Sequence, residues 1–189
     1  MQKCIYTTNH KNFLAYMLAN CPHAHCPPDE TPPTSLACFR SNREWVTAKA
    51  LLRKEPDESG TLPILIREIK DDSELILPIE FLAELVEVKF ASEFATDSER
   101  KKKWLEDKFW LQERVYEGKG PSDDWDAERE IAYSLENGKT YYIIRNLRKI
   151  EPLPLVELKK VLGGTPLSPE YSRSYSICEY PDKKIVYKA

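Results

Sequence analysis

The alternation of apolar and polar positions divides the chain into strands near both ends and helices between them. Lys3-Cys4-Ile5-Tyr6-Thr7-Thr8 has the β-branched and aromatic content of a strand, and Asn9 is placed to cap a helix through Phe13, Leu14, Met17 and Leu18. Five prolines between residues 21 and 35 remove backbone donors and predict a loop. Trp45–Leu52 reads as an inner strand with every other side chain directed inward, followed by a turn at Asp57–Gly60 and a strand at Leu62–Ile66. Residues 75–84 fit a strand followed by a helical turn, and Leu85–Phe90 fits a strand. The spacing of Trp104, Leu105, Phe109, Leu111 and Val115 predicts an amphipathic helix over 96–116, capped by Thr96 or Ser98. Ala127–Leu135 predicts a second helix, Asn137-Gly138 a turn, and Lys139–Ile150 the clearest strand of the chain. After Pro152 and Pro154 come a short helix at Val156–Leu162, then strands at Tyr175–Tyr180 and Lys184–Tyr187. This order predicts a single α/β (α+β) domain over residues 1–189, built around a curved sheet or small barrel with a helical insertion at about 91–136.

Composition leaves that picture intact. The 189 residues, 41% hydrophobic and 31% charged, suffice for a sizeable core and exclude a disordered chain. No apolar run approaches the ~20 residues that span a bilayer, so the expectation is a cytoplasmic protein with no membrane partner. Charge changes the picture more. The net charge of -3 conceals an acidic middle between two basic ends: residues 1–54 sum to +4, residues 55–139 to -11 and residues 140–189 to +4. If the first and last strands lie side by side, their basic segments share a face suited to a phosphate-bearing partner.

Five cysteines, an odd number dispersed among charged residues, do not make a disulfide framework. Cys21, His23, His25 and Cys26, with Cys38 twelve residues on, collect soft ligands of the kind zinc prefers, but no paired Cys-x-x-Cys knuckle accompanies them. They read either as a metal site or as a proline-rich loop that holds two of the three histidines. The chain lacks a phosphate-cradling glycine loop, a Gly-x-Ser-x-Gly elbow and the His-x-Glu with Cys-x-x-Cys of zinc deaminases. No cofactor is expected.

One enzymatic pattern survives. A carboxylate and a lysine two residues apart on a strand project to one face, where the first can hold a divalent metal and the second can activate water. Glu87 and Lys89 stand in this relation and resemble the Glu-x-Lys half of the PD-(D/E)xK nucleases. The resemblance implies metal-dependent cleavage, with Asp57, Asp71 or Asp72 supplying the second carboxylate.

A longer resemblance involves both ends. Ile5-Tyr-Thr-Thr-Asn9-His-Lys-Asn-Phe13 is similar to the first strand and helix of EVE-type and YTH-type domains of the PUA-like superfamily. Tyr141–Leu158 looks like their late strand, proline-bounded turn and short helix. The resemblance implies a non-enzymatic module that binds DNA or RNA and reads a modified or flipped base. Effector partners such as a nuclease or an NTPase would accompany it, and a protein-interaction scaffold is a further alternative. Candidates to surround the base are Tyr6, Thr7, Asn9, Phe39, Trp45 and Tyr142. Candidates for phosphate are Arg40, Arg43, Lys49, Arg145, Arg148 and Arg173. In this expectation Trp45 stacks on a base, so Trp45→Ala weakens binding more than it weakens the fold.

Overall fold

A computed structural model of the chain describes residues 2–10, 14, 37–69, 77–116, 126–168 and 175–188. Six strands form one mixed sheet: β1 (Lys3–His10), β2 (Ala37–Ser41), β3 (Leu62–Ile69), β4 (Ile79–Phe90), β5 (Thr140–Leu153) and β6 (Tyr175–Glu179), in the order β2-β5-β4-β3-β1-β6. β1 and β3 run parallel and all other neighbours antiparallel. The first and last strands do pair, with Cys4 opposite Cys178. The described elements also include three α-helices, α1 (Val46–Lys54), α2 (Ser98–Tyr116) and α3 (Ala127–Asn137), and short 3-10 turns at Ala91–Phe94, Leu155–Glu157 and Asp182–Lys184.

The sheet is curled. β5 and β1 are three strand positions apart, or about 14 Å in a flat sheet, yet the Thr7 side chain on β1 hydrogen-bonds the Tyr142 hydroxyl on β5. The cause lies in the central pair. Register shifts interrupt β4 and β5 between Ile79 and Phe81, Leu82 and Glu84, and Leu85 and Glu87, and each bulge bends its strand and raises the local twist. At one of them Asn146 takes a positive φ of 50°, which a short amide side chain tolerates better than most, and its Nδ2 donates to Glu84 Oε1 at 2.9 Å.

Period-two alternation divides the apolar side chains between two faces. The concave face carries Ile5, Ile64, Ile66, Phe81, Leu85, Tyr142 and Ile144 and is filled by Trp45 with Ala48 and Leu51 of α1. The convex face is covered in two halves. α2 and α3 press Leu105 onto Cys38, Tyr141 and Ile143, while Leu155, Leu158 and Leu167 close over Cys4, Tyr6, Leu65 and Ile150. Asp126 caps α3 by accepting from the amides of Glu128 and Arg129, and Lys101 donates to the Leu135 carbonyl near its far end. α2 and α3 thus occupy the stretch where helices were expected, and no helix among the described residues is long and apolar enough to cross a membrane.

Several expected elements take another form. Trp45–Leu52 is a helix and its N-terminal cap rather than a strand: Ala48 and Leu51 fall three apart on one buried side, while the strand-favouring Val46 and Thr47 are exposed. Asn9 lies within β1, opposite Glu68, and caps no helix there. Val156–Leu162 forms only one 3-10 turn, Leu155–Glu157, before a hairpin. Lys184–Tyr187 makes a 3-10 turn at Asp182–Lys184 and a single bridge from Tyr187 to Ile150. The strand at Ala37–Ser41 was not anticipated. The proposed helix at Phe13–Leu18, apart from Leu14, lies outside the described residues.

Candidate functional site

Trp45 is the hinge between the sheet and α1. Its backbone N–H donates to the buried Thr140 Oγ1 at 3.0 Å, Thr140 Oγ1 donates to the Arg43 carbonyl at 2.6 Å, and the Trp45 carbonyl accepts the first helical bond from Lys49. This clamp projects the indole into the concave face. There it stacks on Tyr142 (centroids 4.3 Å apart, planes 20°) and on Tyr175 (5.0 Å, 21°), so a three-ring column bridges β5 and β6 across the interior of the curl. Phe39 leans on the Tyr142 end at 5.6 Å. Trp45 is fully buried and Tyr175 half-buried, which makes Tyr175 the column's outer ring.

Polar groups collect near Tyr175, where β1 and β3 finish and β6 begins. Alternation along β1 sets Thr7 and Asn9 on the concave face with Ile5, and alternation along β3 sets Glu68 there with Ile64 and Ile66. Thr7 pairs in register with Tyr175, and Asn9 with Glu68. Burial raises the Tyr142 phenol's pKa despite the opposing hydrogen bond with Thr7, so Tyr142 is a neutral hydroxyl at physiological pH. One donor stands out. Trp45 Nε1 is buried without a hydrogen-bond partner among the described residues, a costly state for an indole N–H.

Of the six residues expected around a base, Thr7, Asn9, Phe39, Trp45 and Tyr142 come together on this face. Tyr6 does not: as the neighbour of Thr7 it points to the convex side, into the cluster with Leu65 and Ile150. The expectation for Trp45 also changes, because both faces of its ring are covered by tyrosines and none is open for stacking. Tyr175 and Glu68 were missed. Neither has a local signal, since both join the site only through strand pairing.

The phosphate candidates do not form one basic face. Arg40 bonds Glu130 of α3 at 2.6 Å and lies over the Tyr133 ring, Lys49 pairs with Glu93 beyond β4, and Arg145 bonds Glu84 at 2.6 Å. Arg43 is exposed in the loop before α1. Arg148, over the Tyr187 ring, helps line a shallow convex-side pocket of about 210 Å³ with Asp57, Glu84, Asn146 and Tyr180. Arg173 lies outside the described residues. The cations are separated because each partner comes from a distant element.

Among the described residues the nuclease set is not assembled either. β4 is a central strand, as that reading requires, but Lys89 turns to Glu93 at 3.7 Å and over the Phe94 ring. Asp57 instead organises its own turn, accepting from the amides and hydroxyls of Ser59 and Thr61. Burial pushes its carboxyl up, and these four bonds outweigh it and hold the carboxyl below its usual range. No group of three His, Cys, Asp or Glu that could hold a metal occurs among the described residues. Asp71, Asp72, Cys21, His23, His25 and Cys26 fall outside them, while Cys38 is buried under α2, where burial pushes its thiol up to about 12. No family model matches the chain, and neither a curated protein nor a solved structure matches it.

Proposed function

We propose that the protein is a nucleic-acid-binding module of PUA-like character that receives a modified or flipped base at the polar end of its concave face. The observation that carries this reading is the stacked column Tyr142–Trp45–Tyr175, whose buried indole N–H has no partner among the described residues, on the same concave face as Thr7, Asn9 and Glu68. An extruded base requires a flat apolar surface for its ring and hydrogen-bonding groups for its edge. Tyr175 supplies the surface, as the outer and less buried ring. Thr7, Asn9 and Glu68 supply acceptors and donors for the edge, and Trp45 Nε1 one further donor. Affinity for the backbone then comes from separate cations, of which exposed Arg43 is one, rather than from a continuous basic face. A cytoplasmic setting fits Cys4, Cys38 and Cys178, which among the described residues are free and buried and suit a reducing compartment.

The test is anisotropy of labelled single-stranded oligonucleotides, with and without a modified base, titrated with the parent and with Tyr175→Ala. Loss of one base–aromatic stack costs ~1–3 kcal/mol, or roughly 5- to 150-fold in Kd. Equal affinity of parent and variant removes Tyr175 from the site, and absence of binding by the parent removes the reading.

A further inference from the structure

The 3-10 turn Ala91–Phe94, which follows directly on β4, gathers cations from three elements around one carboxylate. Lys49 of α1 donates to Glu93 Oε2, and the Lys89 ammonium of β4 lies 3.7 Å from Glu93 Oε1. Arg100 of α2 donates from its guanidinium to the Glu93 carbonyl at 3.1 Å. Aromatic rings hold the same three groups a second time. Lys49 lies over Phe90 at 4.7 Å from the ring centroid, and Lys89 and Arg100 both lie over Phe94 at 5.4 Å.

Charge and hydrogen bonding do not balance around this turn. Burial pushes the Glu93 carboxyl up, but the bonds from Lys49 and the Phe90 amide, with the charges of Lys49 and Lys89, outweigh it and hold the carboxyl below its usual range. Glu93 therefore stays ionised, and it sets one negative charge against three positive ones. Among the described residues no other carboxylate lies within 4 Å of the three cations. Asp97, the next acidic residue, accepts from the Arg100 amide at 2.9 Å, so it faces the start of α2. Donors are in surplus as well: an ammonium carries three and a guanidinium five, whereas Lys89 makes no hydrogen bond among the described residues and the Arg100 side chain makes one. Lys49 and Lys89 are half-buried and Arg100 is exposed, which leaves the spare donors open to solvent. The turn also adjoins the concave face. Lys49 N–H donates to the Trp45 carbonyl one helical turn before it, and Phe90 and Tyr175 both pack against the cluster that holds Trp45.

We propose that Lys49, Lys89 and Arg100 form a binding site for a backbone phosphate of the nucleic acid, with Glu93 as the countercharge that keeps the cations together when none is bound. A phosphodiester brings a negative charge and acceptor oxygens to a place that holds two uncompensated positive charges and free donors. The inference rests on the nucleic-acid-binding reading and extends it to cations that the sequence did not single out for phosphate, Lys89 and Arg100. Its signature is separate from that of the base site, because a backbone contact carries no base information and supports every oligonucleotide alike.

Labelled single strands with and without a modified base are titrated by anisotropy at several salt concentrations with the parent, the double variant Lys89→Gln/Arg100→Gln and Glu93→Gln, and all three proteins are melted. The double variant should bind both strands about 10-fold more weakly and in an unchanged ratio, and the slope of its log affinity against log salt should be shallower by about 0.7, the share of one phosphate on a single strand. Glu93→Gln keeps an acceptor for the Phe90 amide and removes the countercharge, so it should bind both strands about 2- to 3-fold tighter while melting no higher than the parent. That arm decides the matter even where the double variant melts early, because a purely structural cluster loses affinity when its carboxylate is removed. A double variant with the parent's affinity and salt slope, a loss confined to the modified strand, or a Glu93→Gln protein that binds no tighter than the parent overturns the phosphate site and leaves the base site standing. A parent that binds neither strand overturns both.

Discussion

Replacing Trp45 with alanine should destabilise the fold by about 3–5 kcal/mol, the usual cost of deleting a fully buried large aromatic. Two terms adjust that figure. The stacked contacts with Tyr142 and Tyr175 each contribute about 0.5–1.5 kcal/mol beyond buried area, whereas the buried Nε1 without a partner already carries an opposing penalty of about 1–3 kcal/mol. The two nearly offset, which leaves the range unchanged. Trp45→Phe is the informative companion, because it keeps an aromatic ring between the tyrosines and removes the unsatisfied donor; its cost should be below about 2 kcal/mol. Urea unfolding followed by far-ultraviolet circular dichroism measures both, and Trp45→Ala should melt roughly 10 °C or more below the parent. An alanine variant that loses less than about 2 kcal/mol, or a phenylalanine variant no better than alanine, would refute the stacked, buried indole.

Two further outcomes follow from the same geometry. Thr140→Val removes the acceptor of the Trp45 N–H and the donor to the Arg43 carbonyl, so it should cost about 2–3 kcal/mol in urea unfolding, with Thr140→Ser close to the parent. Alkali should unfold the protein early: burial raises Cys38, Tyr141 and Tyr180 to about 12 and Cys178 to about 11, so these groups stay neutral in the fold while the unfolded chain ionises from its ordinary values near 9 and 10. Their stabilisation is complete below pH ~9 and lost as pH rises through ~12. A urea midpoint that stays level from pH 8 to pH 11 would contradict this.

Much of the sheet was legible because strands announce themselves locally. Lys139–Ile150, Leu62–Ile66 and Lys3–Thr8 carry β-branched and aromatic runs, and all three are strands. The error at Trp45–Leu52 has a physical source: Val46 and Thr47 favour strands, but they face solvent, and the burial of Ala48 and Leu51 decides for a helix. The site was legible only along β1. Thr7 and Asn9 could be named from the strand that carries them, yet Tyr175 and Glu68 reach them through strand pairing and curling, and no local pattern encodes that. Charge was least legible. Arg40 and Arg145 looked available for phosphate in the sequence, while Glu130 and Glu84, 90 and 61 residues away, bond them in the fold.

The claim that a base is received beside the column is tested most directly at the indole proton of Trp45. Its Nε1–H resonance, identified by its disappearance in Trp45→Phe, should lie where donors without a partner resonate and should move as a modified-base oligonucleotide is titrated in. The Trp104 resonance, from the α2 cluster on the convex face, should stay in place. An oligonucleotide that binds while the Trp45 resonance stays fixed, or that moves only the Trp104 resonance, would contradict the assignment of the concave face as the site.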